Sequence, residues 1–261
     1  MITEEMVFWN GNKSPSRQRY ELEVLETVLQ ATEQASGPVT LRIDDTDYPR
    51  AEDEASVFEK GVDALVTVAG NRKFEGKEKI EINIPIAKGL LGCRLLIVKQ
   101  ERLQAFSAVT SMAELARLSI GIPATWADAD LFRSNGFSVA EKGSFADVFI
   151  RLKREEFDYV ALGANEIEEA FASMAAPLGG LALESVLMIQ YPFPLVFLVN
   201  PAQPLLAERI STGLKNILGN GELDRVFDKH YGSIVERLEL GRRRVFHLRN
   251  PFLPAHFFLK S

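Results

Sequence analysis

Two stretches of the chain follow the same order, VFEKGVDALVTVAGNR (Val57–Arg72) and LKREEFDYVALGANE (Leu152–Glu166). In each, a charged amphipathic helix leads through an aspartate, Asp63 or Asp158, into a short apolar strand and then a glycine-bearing loop. The repetition predicts two similar α/β lobes in one polypeptide. Two such lobes facing each other across a cleft are suited to closing on a small molecule.

Strands and helices alternate through the first seventy residues. Apolar patterns predict strands at Met6–Trp9, Val39–Ile43 and Asp63–Ala69, and helical spacing predicts helices at Arg17–Ala35 and Arg50–Lys60. This β-α-β-α-β order favours a mainly parallel sheet flanked by helices.

The alternation restarts at Thr110. The pattern predicts helices at Ser111–Leu118, Asp128–Asn135, Phe145–Glu156 and Glu166–Met174, and strands at Ile120–Ile122, Ser138–Glu141 and Tyr159–Leu162. Further along come two strands within Leu181–Val199, helices at Leu205–Leu218 and Leu223–Tyr231, and an extended tail at Arg243–Ser261.

The order of these elements predicts a second lobe inserted into the first. We expect the strands Arg94–Lys99 and Val186–Gln190 to cross between the lobes and form a hinge. Lobe one then consists of residues 1–98 and 189–261, and lobe two consists of residues 99–188.

Composition excludes several classes of partner. The net charge is −6 and no basic stripe is present, so we expect no nucleic-acid partner. The most apolar stretch, Val186–Val199, is interrupted by Gln190, Tyr191 and two prolines, so we expect a buried strand and no membrane insertion. A single cysteine, Cys93, rules out an intrachain disulfide and leaves the compartment open.

Motifs for catalysis, metals and cofactors are missing from the sequence. The three histidines are far apart, and the acidic run Asp44–Asp47 lacks an EF-hand pattern, so we expect no metal site and a charged turn at this run. Neither a nucleophile elbow nor a P-loop nor a dinucleotide fingerprint occurs, so we expect no cofactor and no enzyme. The one acid/base alternative is Asp44–Asp47 facing Glu166.

Several motifs carry a resemblance that spans nearly the whole chain. The run INIPIAKGLLGCRLLIVK (Ile82–Lys99), Trp126 with Asp128, and LRNPFLP (Leu248–Pro254) resemble type II periplasmic solute-binding proteins. The chain is most similar to an orphan branch of the amino-acid-type solute-binding family 3. The resemblance implies a two-lobed α/β fold and solute capture by hinge closure. It also implies a periplasmic monomer, exported in a form without its signal peptide, whose partner is a membrane transporter or receptor.

The sequence departs from this family where ligands bind. Family members grip an α-carboxylate with an arginine after the third strand of lobe one, a role that the resemblance implies for Arg72. They grip the α-amine with an acid at a lobe-two strand end, which falls near Gly163, where no acid stands; Asn165 and Glu166 lie just beyond. We therefore expect a small polar or anionic solute rather than a plain α-amino acid.

Ligands of open α/β sheets bind outside the carboxyl ends of the strands. By this rule the candidate ligand-binding residues are Trp9, Asn10, Arg72, Thr125, Trp126 and Asn165.

Each candidate has a structural alternative. Trp9 either stacks on a ligand or fills the core, and Trp126 either contacts a ligand or packs against the opposite lobe. Arg72 is either a bidentate anion ligand or a solvated surface residue. Thr125 is either a hydrogen-bond donor to ligand or, with Asp128, a helix cap. Three classes of function remain open for such a chain: a free solute-binding protein, a sensor domain, or an enzyme on the same scaffold.

Overall fold

The structure is a computed structural model that describes residues 4–257. The chain folds into two compact units, each built from separate stretches of sequence. Unit 1 contains residues 4–88 and Pro194–Gly232, and unit 2 contains Gly89–Phe193 and residues 233–257.

Strands in the described residues form two sheets. They are β1 (Glu4–Trp9), β2 (Val39–Asp44), β3 (Ala64–Val68), β4 (Ile80–Ile82), β5 (Cys93–Lys99), β6 (Ile120–Ile122), β7 (Val139–Glu141), β8 (Tyr159–Gly163), β9 (Leu181–Leu183), β10 (Leu187–Gln190), β11 (Leu195–Val199) and β12 (Arg244–His247). The α-helices are α1 (Pro15–Ser36), α2 (Ala51–Ala55), α3 (Leu103–Ser107), α4 (Met112–Leu115), α5 (Asp128–Ser134), α6 (Phe145–Lys153), α7 (Ile167–Ala170), α8 (Pro204–Gly219), α9 (Glu222–Tyr231) and α10 (Ile234–Arg237). None of the helices in residues 4–257 is both long and apolar enough to cross a membrane.

The sheet of unit 1 has the strand order β2-β1-β3-β11-β4. Strands β1, β2 and β3 are parallel, as the β-α-β-α-β order predicts, whereas β11 and β4 continue the sheet in antiparallel pairing. Ser14 caps the start of helix α1, because its side chain accepts a hydrogen bond from the backbone N–H of Arg17. Helices α1 and α8 pack closely against each other. Gly213 of α8 lies so near Val28 of α1 that a Cβ atom on Gly213 would be 2.7 Å from both Cγ1 and the carbonyl oxygen of Val28.

The sheet of unit 2 has the order β12-β10-β5-β8-β6-β7, with β9 also paired to β5. Strands β6, β7 and β8 are parallel, and β5 runs antiparallel to β8. Gly121 in β6 lies under the ring of Phe157, where a Cβ atom would approach the ring carbons to 2.1 Å. The side chains of β5 and β8 are almost entirely buried, so this pair forms the centre of the unit.

The units are divided differently from the predicted lobes. Both strands expected to cross between lobes, Arg94–Lys99 and Val186–Gln190, are paired with each other inside the unit 2 sheet. The chain instead passes between units at 88–89, 193–194 and 232–233. The expected limits at 98 and 188 differ from these positions, because apolar strands look alike in sequence whichever sheet they pair with.

The tail also belongs to a different unit from the one expected. Strand β12 pairs in parallel with β10, and so residues 233–257 complete unit 2 rather than lobe one. The tail is partly extended, as predicted, up to the limit of the described residues; positions 258–261 lie outside them. Asn135 fixes it, because its Nδ2 donates to the carbonyl of Arg249 and its Oδ1 accepts from the N–H of Arg249.

Several predicted elements have other boundaries in the structure. The helix predicted at Arg50–Lys60 is divided into α2 and a 3₁₀ turn, since the hydroxyl of Ser56 competes for the carbonyls of Glu52 and Asp53. Helix α7 continues as a π-helical turn at Phe171–Ala175. The segment predicted to hold two strands holds β9, β10 and β11.

The two aspartates of the repeated motif have the same role in both units. Asp63 accepts from the N–H of Val7 at 2.8 Å, and Asp158 accepts from the N–H of Ser119 at 2.7 Å. Each carboxylate thus joins the start of its own strand to the chain of the neighbouring strand. They lie at the amino ends of the strands, away from the carboxyl edge where candidate ligand residues gather.

Candidate functional site

The carboxyl ends of β1, β2 and β3 lie side by side in unit 1, since these strands are parallel. Trp9 ends β1 and is 2% exposed. Its ring lies in a core cluster with Val57, Val62, Leu65, Phe74 and Leu198. Its Nε1 donates to the carbonyl of Thr46 at 2.9 Å. Trp9 therefore fills the core of unit 1, the second of the two roles predicted for it.

Asn10 joins β1 to helix α1. Its Nδ2 donates to the carbonyl of Gln18 and its own carbonyl accepts from Nε2 of Gln18. The side chain is buried, yet its Oδ1 has no hydrogen-bond partner among residues 4–257. An acceptor in this condition is costly to bury and favours a donor from outside the described chain.

Arg72 follows β3 and opens a short 3₁₀ turn, Arg72–Phe74. The turn is set by Asn71, whose side chain accepts from the N–H of Lys73. The Arg72 side chain is 53% exposed, and its Nε is 3.6 Å from Oε2 of the more exposed Glu75. A surface pair of this kind contributes little to stability.

Two ion pairs at the same edge were missed by the sequence analysis. Lys13 Nζ lies 2.6 Å from Glu21 Oε2 and 3.2 Å from the carbonyl of Val66. Lys73 Nζ lies 2.6 Å from Glu54 Oε1. Burial lowers the pKa of Lys13, and Glu21 opposes that shift. The eight-residue separation of Lys13 and Glu21 was the available sequence signal for that ion pair. Pairs between residues farther apart in sequence, such as Lys73 and Glu54, leave no such signal.

The matching edge of unit 2 follows the parallel strands β6 and β8. Thr125 comes after β6 with φ of 70°, and its N–H donates to Glu141 Oε1 at 3.1 Å. Helix α5 starts after Ala127 without a side-chain cap, so neither Thr125 nor Asp128 has the predicted capping role. Thr125 is half-buried and its backbone conformation is unusual for a residue with a β-branched side chain.

Trp126 is also half-buried and packs within unit 2. Its ring stacks on that of Phe145, with centroids 5.1 Å apart and planes inclined by 30°. This contact lies within unit 2, whereas the alternative predicted for Trp126 was packing against the opposite lobe, and it leaves part of the indole exposed. Asn165, after β8, is buried at 3% exposure beside Gly163, where a Cβ atom would lie 2.5 Å from Asn165 Oδ1.

A buried charged cluster lies directly beside these residues. Arg94, at the start of β5, is 1% exposed and forms ion pairs with Asp128 and, at 3.2 Å, with Glu166. Its Nε donates to the hydroxyl of Tyr191 at 2.7 Å, and that hydroxyl donates to Asp128 Oδ2 at 2.8 Å. We name these four residues the Arg94 cluster.

Electrostatics fixes the charge state of the Arg94 cluster. Burial alone lowers the pKa of Arg94, but Asp128, Tyr191 and Glu166 together raise it above its usual value. Burial also raises the pKa of the Tyr191 hydroxyl well above its usual value. Arg94 is therefore a permanent cation and Tyr191 a neutral donor. The sequence analysis discussed Asp128 and Glu166 beside the candidate site but treated Arg94 only as the start of a strand. Arg94 stands in an apolar strand, 34 positions before Asp128.

Across residues 4–257, no group of three or more histidine, cysteine, aspartate and glutamate side chains is placed to hold a metal ion. The polar groups at both edges instead form ion pairs and hydrogen bonds. Such groups can orient a polar molecule by hydrogen bonding and charge.

Comparison with solved structures places the fold. An ancestral arginine-binding protein matches with TM-score 0.65 and 14% identity over 89% of this chain and 100% of its own. An arginine-specific periplasmic binding protein of Salmonella typhimurium matches with TM-score 0.62 and 12% identity over 88% and 100%. A histidine kinase sensor domain similar to periplasmic binding proteins matches with TM-score 0.62 and 12% identity over 88% and 97%.

The sequence matches no family model, and no curated protein matches it. The structural matches therefore establish the fold: the chain has the two-lobed α/β fold of type II periplasmic binding proteins, as the sequence motifs indicated. Solute-binding proteins of amino-acid transporters are prominent among these neighbours.

Proposed function

We propose that the chain binds a small polar or anionic solute by hinge closure of its two units. The observation that carries this proposal is the match in fold to solute-binding proteins along their full length. In this fold class, ligand binding shifts an equilibrium between open and closed forms. The bound form would then deliver the solute to a membrane transporter, and the protein would act in the periplasm as a monomer and not as an enzyme.

The proposed contacts come from both carboxyl edges. Arg72 binds an acidic group of the solute, because its guanidinium is exposed and suited to bidentate pairing with a carboxylate. Thr125 and Asn165 supply hydrogen bonds, and the exposed part of Trp126 covers an apolar face. Within unit 1, Asn10 presents its unpaired Oδ1.

Trp9 acts differently from these contact residues. Its indole supports the residues of the unit 1 carboxyl edge from inside the core, where the ring is packed.

A thermal-shift screen tests the proposal. Dicarboxylates, amino acids, sugars, polyamines and small aromatics are added in large excess, and calorimetry follows for any class that raises Tm. A ligand that binds only the native state at about 100 times Kd adds about 2.7 kcal/mol of stability. Stabilisation by an anionic or polar class supports the proposal, whereas stabilisation by none of these classes contradicts it.

A sensor role is the second candidate, favoured by the match to a histidine kinase sensor domain. The transport role and the sensor role predict different phenotypes when the protein is deleted from the cell. Deleting a transport component abolishes uptake of the identified solute, while deleting a sensor abolishes the change in gene expression that the solute causes. Cell fractionation of the native protein tests the periplasmic location of either.

A further inference from the structure

The carboxyl edge of unit 2 carries two buried acids. Asp128 begins α5 soon after β6, and Glu166 follows β8. Their side chains are 7% and 2% exposed. Two carboxylates at the binding edge of a sheet are suited to hold an ammonium or guanidinium group of a ligand.

In this protein the position between the two acids is already filled. Arg94 extends from β5 and its nitrogens each have a partner: Nε contacts Tyr191, Nη1 contacts Glu166 and Nη2 contacts Asp128. The guanidinium carbon also lies 5.2 Å from the centre of the Phe193 ring and 5.6 Å from that of Tyr191. Acids and aromatic faces surround Arg94 in the way that a binding site surrounds a cationic ligand.

Burial makes this arrangement selective. A guanidinium with 1% exposure cannot be displaced without leaving a charge unpaired in the interior, which is strongly unfavourable. A second cation at this edge would find both carboxylates already paired with Arg94. Prior occupation of the acids is an effective means of discriminating between ligands.

We propose that Arg94 is a specificity-determining residue, an internal guanidinium that takes the cation position of unit 2 and excludes ligands with a cationic group there. The inference rests on the proposed function, since it assumes that this edge receives the solute. It narrows the ligand class to solutes that present no cationic group to unit 2. An anionic solute is also the class suited to Arg72 in unit 1.

The test removes the internal cation. Arg94→Ala is compared with wild type for stabilisation by guanidinium chloride and by agmatine, at millimolar concentrations and against equal sodium chloride. We expect a saturable rise in Tm for the variant and none for wild type, with affinity for agmatine at least about tenfold higher in the variant. The matched control is Arg237→Ala, which unpairs the exposed Glu168 of the same unit and should gain no such response.

A folded Arg94→Ala variant that does not respond to either cation overturns the proposal, as does wild-type protein that binds agmatine equally well. If Arg94→Ala is unfolded alone, guanidinium should restore its folding. Arg94→Ala/Glu166→Gln leaves a single buried acid and should respond in the same way but more weakly. Failure of guanidinium to restore either variant also overturns the proposal.

The result is separate from the test of the proposed function. A wild-type protein that binds no anionic or polar solute contradicts the proposed function. The gain of cation binding by Arg94→Ala is measured without that solute.

Discussion

Lys13 and Glu21 form an ion pair inside unit 1, with Nζ 2.6 Å from Oε2 and side chains that are 3% and 0% exposed. Arg17 reaches the other carboxylate oxygen of Glu21 at 2.8 Å. One buried acid therefore holds two cations at the start of α1. This pair anchors the helix to the carboxyl edge of the sheet, since Lys13 also donates to the carbonyl of Val66 in β3.

Glu21→Gln should destabilise the protein by about 3–5 kcal/mol, because it leaves the buried Lys13 charge without its carboxylate. Urea unfolding measures the effect. The exposed pair partner Glu75 provides the control, since Glu75→Gln should change stability by less than about 0.5 kcal/mol. Equal stability of the two variants would show that Glu21 does not neutralise Lys13.

The cost of Glu21→Gln should depend on pH. The pKa of Lys13 is lowered in the folded state by burial, so the unfolded chain binds more protons at this residue between the folded pKa and about 10.4. Loss of Glu21 removes an interaction that raises the pKa of Lys13, so the folded-state pKa falls further. The pH range in which the unfolded chain binds more protons therefore widens. The deficit relative to wild type should therefore shrink as pH rises towards about 10. A deficit that stays constant with pH would assign it to packing rather than charge.

Tyr159→Phe should stabilise the protein by about 1–3 kcal/mol, since the buried hydroxyl of Tyr159 has no hydrogen-bond partner among residues 4–257. The ring contact with Phe106 is kept. Thermal unfolding at neutral pH measures the gain. Tyr191→Phe is the contrast, because its hydroxyl joins Arg94 to Asp128 and its loss should destabilise.

The gain from Tyr159→Phe should increase in alkali. Burial, with a smaller effect of Asp158, raises the pKa of Tyr159 in the folded state. Above about pH 10 the unfolded chain loses this proton while the folded chain keeps it, so wild-type stability falls as pH rises. Phenylalanine removes that loss. A gain that is the same at neutral and alkaline pH would contradict the assignment.

Arg72→Ala should abolish binding of an anionic solute and leave stability within about 0.5 kcal/mol of wild type, because the side chain is half exposed. Calorimetry with the solute found in the screen measures the loss. Arg225→Ala is the matched control in the same unit, since Arg225 is also exposed and paired with a glutamate three positions away. Unchanged affinity in Arg72→Ala would remove Arg72 from the site.

Asn135→Ala should loosen the tail of unit 2, because both hydrogen bonds to the backbone of Arg249 are lost. The expected cost is about 1–3 kcal/mol, with faster limited proteolysis near 249. Asn83→Ala, at an exposed position, is the control. Tail cleavage at the wild-type rate would show that β12 alone holds the segment.

Local patterns in the sequence were sufficient for much of the fold. The helical spacing of Tyr20, Leu25 and Val28 predicted α1 to within two residues, because one buried face is enough to identify a helix. The strand Ile120–Ile122 was predicted with its observed limits. The loops chosen as candidate edges do follow the carboxyl ends of β1, β3, β6 and β8, but their role in ligand binding stays a prediction.

Long-range pairing was decided only by the tertiary structure. Whether β5 joins one sheet or the other depends on partners far away in sequence, and its apolar residues suit both. The same holds for the Arg94 cluster, in which Arg94 and Glu166 are 72 positions apart. Sequence spacing reports contacts within one helix or strand. The charge that occupies the unit 2 edge follows from which strands pair, and only the folded chain determines that.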